Sequence, residues 1–353
     1  MSGPDDAPGV GGTGGEERDD AATDGDGTST RRTLVEAVND ALRCEMAADD
    51  RVMVYGEDVA EQGGVFRATE GLQDRFGEER VRDTPLSEIA IVGTAVGLAV
   101  YGYRPVAEIQ FSGFVPPAFN QLVQNASRIR WRTRGEHSAP MVVRAPYGGG
   151  VRALEHHSES LEAAYAHVPG LQVVVPATPR DAKGLLAAAI RDPDPVLFLE
   201  PKRYYRGVRE AVPDGAYAEP LGEARVRREG RDVTLISWGA SLHPTLAAAE
   251  NLADEGIDAE VVDLRTVSPF DRETVVESVK GTGRAAVVHE APRTGGFAAE
   301  LIATLNEEAL YYLEAPVERV TGFDTPIPML AREDFYLPNP PRVEETVKRV
   351  LEA

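Results

Sequence analysis

Short apolar runs alternate with segments of helical periodicity along most of this chain. Runs rich in Val, Ile and Leu predict buried strands at 52–55, 105–109, 141–144, 171–175, 196–199, 233–236, 259–263, 285–289 and 317–320. Apolar positions three or four apart predict helices at 33–48, 84–102, 119–131, 159–166, 179–191, 243–255, 270–280, 297–312 and 341–352. Because apolar strands that alternate with helices are typical of parallel sheets covered on both faces, the pattern predicts an α/β fold of two three-layer domains with mainly parallel sheets.

The alternation is absent from two segments, and these divide the chain. Residues 1–30 hold eight glycines and eight acidic residues but almost nothing to bury, so we expect a disordered acidic tail. Prolines, charges and glycines interrupt the pattern at 201–222, where we place a linker. The expected domains are therefore 31–200 and 223–353.

The segment 84–102 carries the most distinctive pattern. Fourteen uncharged residues, 89–102, follow Glu88, and the run is too short to span a membrane. Thr84 suits a helix N-cap and Pro85 its first position, so we predict a helix from there that is buried all round. Glu88 then lies in the first turn, where the helix favours the ionised form and burial favours the protonated form. It is either a proton-transfer group or a capping glutamate on a core helix.

Composition narrows the class of partner. Acidic residues outnumber basic ones by 58 to 37, giving a formal charge of -21, which argues against nucleic acid. Only four of the basic residues are lysines, and such an acidic, lysine-poor surface suits a halophilic, high-salt cytosol. An unfolding temperature that is unchanged without added salt would refute that hypothesis. Cys44 is the only cysteine, so disulfides and thiolate metal sites are excluded. With no signal peptide or membrane span in the sequence, we expect a cytoplasmic protein.

Several motifs invite a chemical interpretation. Residues 281–286 match a dinucleotide pattern but follow a helix and precede a strand, so we predict a helix C-cap turn there. Gly148-Gly149-Gly150 is a loop that could approach a phosphate, although no P-loop lysine follows it. His156 and His157 come next, flanked by carboxylates. Adjacent histidines do not converge easily on zinc, so the motif is either a polar turn or a proton-transfer or anion-binding site.

A further candidate segment follows the strand at 105–109. Gln110 and Phe114 there are either ordinary core and edge residues or the amide and aromatic wall of a site for a flat heterocycle.

Ten motifs occur in the order typical of one family. They are Tyr55-Gly56-Glu57-Asp58-Val59, Gly63-Gly64-Val65-Phe66, Asp83-Thr84-Pro85-Leu86-Ser87-Glu88, Arg104-Pro105-Val106, the Phe114 segment, Glu155-His156-His157-Ser158, Pro169-Gly170-Leu171, Asp181-Ala182-Lys183-Gly184, Ala189-Ile190-Arg191-Asp192 and Val262-Asp263-Leu264-Arg265-Thr266-Val267-Ser268. Over residues 31–353 the chain resembles the β subunit of the thiamine-diphosphate-dependent component of 2-oxoacid dehydrogenase complexes, of the pyruvate dehydrogenase type. The resemblance implies a thiamine-diphosphate-binding fold (a pyrimidine domain) followed by a transketolase C-terminal-like domain.

The resemblance also assigns roles to individual residues. Glu88 matches the glutamate that bonds the ring nitrogen of the cofactor's aminopyrimidine, Phe114 the aromatic residue against that ring, and Gln110 a neighbouring cofactor-facing position. His157 matches the histidine proposed to act on substrate and to assist acyl transfer to lipoamide, although the neighbouring His156 leaves that assignment open. Glu159 stands where the family often has glutamine, and it would raise the pKa of His157 if the two side chains approach.

Metal ions and partners follow from the resemblance as well. Ala189, Asp192 and Asp194 align with a loop that binds structural potassium in some relatives. Magnesium is held in thiamine enzymes by a Gly-Asp-Gly motif. The only such triplet here, 25–27, lies in the tail, so we interpret it as coincidence. The implied magnesium ligands are therefore on an α subunit, in a heterotetramer of two α and two β subunits that serves a dihydrolipoyl acyltransferase core.

The implied reaction is oxidative decarboxylation of a 2-oxoacid, pyruvate or branched-chain, with acyl transfer to lipoamide. Half-subunits of split transketolase-like enzymes and acetoin dehydrogenase subunits are alternatives with the same fold. A non-catalytic scaffold subunit is a third, disfavoured by the presence of both Glu88 and His157.

Overall fold

The computed structural model describes residues 28–353. The predicted acidic tail lies outside the described residues except for 28–30. The Gly-Asp-Gly triplet at 25–27 lies wholly outside them. The strands are β1 (Ser29–Thr33), β2 (Val52–Gly56), β3 (Val81–Asp83), β4 (Arg104–Glu108), β5 (Val142–Tyr147), β6 (Gln172–Val174), β7 (Val196–Pro201), β8 (Arg209–Pro213), β9 (Arg225–Arg228), β10 (Val233–Ser237), β11 (Ala259–Asp263), β12 (Thr266–Ser268), β13 (Ala285–Pro292) and β14 (Glu318–Gly322).

The α-helices alternate with these strands. They are α1 (Leu34–Ala48), α2 (Leu72–Phe76), α3 (Glu88–Tyr101), α4 (Ile129–Arg132), α5 (Glu162–Ala166), α6 (Pro179–Arg191), α7 (Leu242–Asp254), α8 (Arg272–Thr282), α9 (Ala298–Glu308), α10 (Glu333–Tyr336) and α11 (Pro340–Glu352). Within residues 28–353, no helix combines the length and the apolarity that a membrane crossing needs.

Two sheets organise the chain. The first has seven strands in the order β12-β6-β7-β5-β4-β2-β3, and all its pairs are parallel except that between β12 and β6. The second has five strands in the order β14-β13-β10-β11-β9, with only β9 antiparallel. Helices bury the faces of both sheets, as the apolar strands require. The predicted α/β class with mainly parallel sheets is confirmed.

Local signals placed the first helix correctly. At the start of α1, the amide of Glu36 donates to Thr33 Oγ1 (3.3 Å) and the amide of Thr33 donates to Glu36 Oε2 (2.7 Å). This capping box satisfies two amide groups that the helix itself leaves without partners. The C-cap turn predicted at residues 281–286 is also present, because Gly283 ends α8 in the left-handed region with φ of 70°.

The segment predicted as one helix at 119–131 is irregular. It contains a π-helical turn at Gln121–Asn125, a 3-10 turn at Ala126–Arg128 and only then α4. Gln121 packs against Gly93 of α3, and Asn125 Nδ2 donates to Gln121 Oε1 at 2.6 Å. The departure from a regular α-helix therefore coincides with tertiary packing and a side-chain hydrogen bond. Apolar periodicity in the sequence does not indicate either of these interactions.

Two short strands connect segments that are far apart in sequence. β8 lies inside the predicted linker 201–222 and pairs with β1 in a separate two-stranded sheet. β12 comes from the second half of the chain but lies at the edge of the first sheet, next to β6. Both strands are only three to five residues long and carry no distinctive pattern, so sequence analysis missed them.

Candidate active site

Four neighbouring strands of the first sheet end at one edge, and each leads to a candidate residue. β3 leads to Glu88, β4 leads to Gln110 and Phe114, and β5 leads to the loop that carries His157. β2 lies between β4 and β3 and leads to Glu57-Asp58. Because the carboxyl ends of parallel strands form the ligand crevice of open α/β sheets, the sequence candidates are gathered at a suitable edge.

Glu88 begins α3 and is half-buried. The predicted start of this helix, with Thr84 as N-cap and Pro85 as its first residue, is wrong by three residues. The Thr84 amide donates to the Gly56 carbonyl (2.9 Å), in line with the pairing of β3 and β2, so the chain is still extended there. Ser87 takes the N-cap position without a side-chain cap bond. The amides of Ala90 and Ile91 donate to the Ser87 carbonyl (3.0 and 2.9 Å), and the positive end of the helix dipole favours negative charge near Glu88.

A second carboxyl group lies beside Glu88. Burial first, and then the negative charges of Glu88 and Asp58, raise the pKa of the Glu57 carboxyl above its usual range. A raised pKa makes the Glu57 carboxyl easier to protonate than an isolated glutamate.

The expectation that α3 is buried all round is wrong for the single chain. Its buried residues are Ile91, Val92, Ala95 and Ala99. The opposite side is open, with Ile89 46% exposed and Tyr101 84% exposed, and Leu86 just before the helix is 79% exposed. An apolar sequence indicates that a surface is covered but not whether its own chain covers it. Glu88 thus lies next to an uncovered apolar surface.

Gln110 is oriented by a residue that sequence analysis did not single out. Its Nε2 donates to Asp58 Oδ2 at 3.0 Å. Since a carboxylate only accepts hydrogen bonds, the amide nitrogen must face Asp58 and the amide oxygen Oε1 is left for another donor. The position of Asp58 directly after β2 was the available signal, because β2 ends at the same edge as β4.

His157 packs into an aromatic corner with Phe114. Its ring centroid lies 4.3 Å from that of Phe111 and 5.3 Å from that of Phe114, edge to face in both cases. Its Nδ1 is buried and has no hydrogen-bond partner within residues 28–353. His156, by contrast, points outward with 64% of its side chain exposed, 3.8 Å from Glu155. The geometry therefore groups His157, rather than His156, with the other candidate residues.

Glu159 interacts with a different histidine from the one anticipated. Burial raises the pKa of the Glu159 carboxyl, and the neighbouring His156 partly offsets this. Its backbone carbonyl accepts hydrogen bonds from Ser112 Oγ (2.8 Å) and from the amide of Gly148 (3.0 Å). The Glu159 carbonyl therefore connects the loop that carries His157 to the segment that carries Phe114 by a hydrogen bond.

A buried ionic cluster lies in the sheet beneath this edge, and sequence analysis missed it. Arg144 on β5 donates to Glu108 on β4 (2.7 Å) and, through two nitrogens, to Glu200 on β7 (2.6 and 2.8 Å). Tyr205 donates to Glu200 Oε2 at 2.6 Å. Burial raises the pKa of the Glu108 carboxyl, and Arg144 offsets this only in part.

The predicted potassium residues lie apart from this edge, at the end of α6. Arg104 Nη1 donates to the carbonyls of Ile190 (2.7 Å) and Asp192 (3.2 Å), and Arg130 pairs with the Asp194 carboxylate at 2.7 Å. Two guanidinium groups beside these oxygens do not favour a cation. In the part of the chain that the structure describes, no group of three or more His, Cys, Asp or Glu side chains is arranged to hold a metal ion.

Comparison with known proteins gives this geometry a context. The family described as "Transketolase, pyrimidine binding domain" matches residues 31–208, and "Transketolase, C-terminal domain" matches residues 222–343. "Pyruvate dehydrogenase E1 component subunit beta" of Acholeplasma laidlawii is 50% identical over 321 residues, 91% of this chain and 98% of that protein. "2-oxoisovalerate dehydrogenase subunit beta" of Bacillus subtilis (strain 168) is 49% identical over 322 residues, with the same coverage of both chains. The chain belongs to the family of 2-oxoacid dehydrogenase β subunits.

Membership in this family confirms the resemblance inferred from the sequence motifs. A solved structure described as "Split gene transketolase, inactive beta4 tetramer" superposes on this β subunit with a TM-score of 0.73 at 24% identity, covering 91% of this chain and 98% of that one. At that identity the likeness supports the fold alone. It agrees with the two predicted α/β domains.

Proposed function

We propose that this chain forms the aminopyrimidine side of a thiamine diphosphate site in a 2-oxoacid dehydrogenase. The observation that carries the proposal is the convergence of Glu88, Gln110, Phe114 and His157 at the carboxyl edge of four adjacent parallel strands. The assembled enzyme decarboxylates a 2-oxoacid and transfers the acyl group to lipoamide.

The side chains at this edge suit a flat heterocycle with polar atoms on its rim. Phe114 offers an aromatic face, and Gln110 offers an amide oxygen that its bond to Asp58 leaves available. Nδ1 of His157 is a buried polar atom without a partner among the described residues. Because such atoms are costly to leave unsatisfied, a bound ligand or ordered water at this edge is expected.

Each side chain has a distinct task. When bound, thiamine diphosphate supplies the nucleophilic carbon and the electron sink that decarboxylation requires. Glu88 would hold a proton at the ring nitrogen of the aminopyrimidine, with the Glu57 carboxyl nearby. Phe114 and Gln110 bind and orient the ring. His157 binds the substrate or holds a proton beside it, where lipoamide must also arrive.

The histidine assignment can be tested with the adjacent residue as its control. His157→Ala should lower lipoamide-dependent turnover by about 10²- to 10⁴-fold, because it removes a positioned proton donor. His156→Ala should leave turnover within about twofold, because that ring is largely exposed. Steady-state kinetics of the two assembled variants give the comparison. Equal losses in both would contradict the assignment.

An α subunit is the proposed partner and the source of the magnesium and diphosphate ligands. The exposed apolar side of α3, beside Glu88, supports a second chain at this surface. We propose a heterotetramer of two α and two β subunits that delivers acyl groups to a dihydrolipoyl acyltransferase core.

The domain limits and the potassium site stay predictions. The predicted limits are a pyrimidine-binding domain at 31–200, a linker at 201–222 and a transketolase C-terminal-like domain at 223–353. The two family matches support them, since the first match ends at 208 and the second begins at 222. Potassium at Ala189, Asp192 and Asp194 is the weaker prediction, because Arg104 and Arg130 occupy oxygens of two of these residues.

Reconstitution tests the proposed function directly. The chain is copurified with its α partner and assayed with thiamine diphosphate, magnesium and lipoamide against pyruvate, branched-chain 2-oxoacids and acetoin. We expect turnover that requires both chains, the cofactor and lipoamide, and that identifies the preferred substrate. Transfer of a ketol group between sugar phosphates without lipoamide would instead identify a split transketolase.

A further inference from the structure

The triple-glycine loop of the first domain receives a carboxylate from the far end of the chain. The loop runs from Gly148 to Glu159 and is closed by the hydrogen bond from the Gly148 amide to the Glu159 carbonyl (3.0 Å). It carries His157 near its end. The sequence indicated that its glycines could approach an anion, and the anion that they approach is the side chain of Glu333 on α10.

Glu333 holds the middle of the loop by two backbone hydrogen bonds. Its Oε1 accepts from the amide of Gly150 at 2.8 Å and its Oε2 from the amide of Arg152 at 2.7 Å. Glu333 is 1% exposed, so these bonds are shielded from water. Two amide donors on one carboxylate form a charge-assisted pair with defined geometry.

The loop is shaped to accept this carboxylate. A Cβ at Gly149 would lie 2.6 Å from Glu333 Oε1, so only glycine leaves the side chain its place. Arg152 has φ of 55°, in the left-handed region that a non-glycine residue adopts at a cost. The hydrogen bond from its amide to Glu333 offsets that cost. Glu333 and its neighbour Asp334 accept hydrogen bonds from Gly150 and Arg152, and Glu290 on β13 lies against the adjacent Gly148 and Gly149.

The far end of the loop lies against the aromatic corner. The His156 carbonyl is in such close contact with Gly113 that no side chain fits there. The His157 ring meets Phe111 and Phe114, the residues that flank the short turn containing Gly113. Only residues 153 and 154 separate Arg152, which Glu333 holds, from the turn Glu155–His157.

We infer that Glu333 is a positioning residue for His157: through the amides of Gly150 and Arg152, the C-terminal domain sets the place of the active-site imidazole. The inference rests on the proposed function. Glu333 does not touch the reacting groups and acts through the loop. It makes the catalytic geometry depend on how α10 packs against the first domain, since a displacement of about 1 Å can cost on the order of a hundredfold in rate.

Adjacent residues provide a test and a matched control. Glu333→Gln keeps the shape of the side chain, but its amide nitrogen must face one of the two loop N–H groups, donor against donor. Asp334→Asn removes only an exposed ion pair with Arg152, in which both side chains are more than half exposed. In the assembled enzyme, we expect Glu333→Gln to lower kcat about tenfold to a hundredfold and Asp334→Asn to change it less than twofold.

Hydrogen exchange and a double variant separate positioning from a general loss of structure. In the unmodified complex, the amides of Gly150 and Arg152 should exchange slowly, and in Glu333→Gln they should exchange faster while α1 and α6 stay protected. In a His157→Ala background, Glu333→Gln should cause little further loss, because both act through one imidazole.

Three outcomes would overturn the inference. The first is rapid amide exchange at Gly150 and Arg152 in the unmodified complex. The second is faster exchange of these amides in Glu333→Gln with a normal kcat. The third is full additivity of the activity losses caused by Glu333→Gln and His157→Ala. If Glu333→Gln does not assemble, Glu333→Asp, which is one methylene too short to reach both amides, is measured in the same way. Exchange does not depend on turnover, so an inactive wild-type complex with a protected loop would refute the proposed function and not the loop contact.

Discussion

Glu88→Gln is expected to remove nearly all 2-oxoacid decarboxylation while the variant still assembles with its α partner. Glutamine keeps the size and shape of the side chain at the start of α3 but cannot take up or release a proton. Proton transfer by a positioned side chain contributes about 10²- to 10⁴-fold, so a loss of this order is predicted. Turnover of the reconstituted complex, with size-exclusion chromatography to check assembly, measures it.

Glu61→Gln serves as the control for Glu88→Gln. It removes the same charge from an exposed position in the loop that follows β2 and should leave turnover within about twofold. Near-normal decarboxylation in Glu88→Gln would refute the assignment of the proton to this residue, whichever 2-oxoacid is the substrate.

The second large effect is on stability. Arg144→Met should lower the free energy of unfolding by about 3–5 kcal/mol, because it leaves two buried carboxylates, Glu108 and Glu200, without their shared cation. Arg144 is fully buried, so water cannot replace the lost partner. Denaturant unfolding of the purified chain at constant salt gives the difference between variant and wild type.

Two comparisons support that interpretation of Arg144→Met. Arg349→Met, which breaks an exposed pair with Glu345 one helical turn away, should cost at most about 0.5 kcal/mol. Adding Glu108→Gln and Glu200→Gln to Arg144→Met should recover part of the loss, because the unpaired charges are then gone. A cost below about 1 kcal/mol for Arg144→Met alone would contradict the account of the cluster as a buried ionic network.

Features specified by neighbouring residues were predictable from the sequence. The capping box of α1 and the bounds of α6 follow from residues within one helical turn. Most strands of both sheets follow from short apolar runs, whereas β3, β9 and β12 were not predicted. The strand order then gathers Glu88, Gln110 and His157 at one edge, because each follows a parallel strand. The positions of Gln110 and His157 could therefore be anticipated from where predicted strands end, but that of Glu88 could not, because β3 was not predicted.

Features that depend on distant contacts could not be predicted. α3 has an apolar composition whether its outer side meets its own chain or another, so the sequence could not show that this side is exposed. His156 and His157 differ in exposure and in contacts through the path of the loop, not through their neighbours in sequence. Glu333 and Arg152, 181 positions apart, meet only in the fold, and nothing near either residue indicates the other.

The placement of β12 affects how this chain can evolve. Because three residues from beyond the linker pair with β6 at the edge of the first sheet, the first half does not complete its own sheet. Recombination that exchanged one half for that of a distant relative would have to preserve the match between these two strands or leave an open sheet edge. The two halves are therefore expected to be inherited and to diverge together, as one unit.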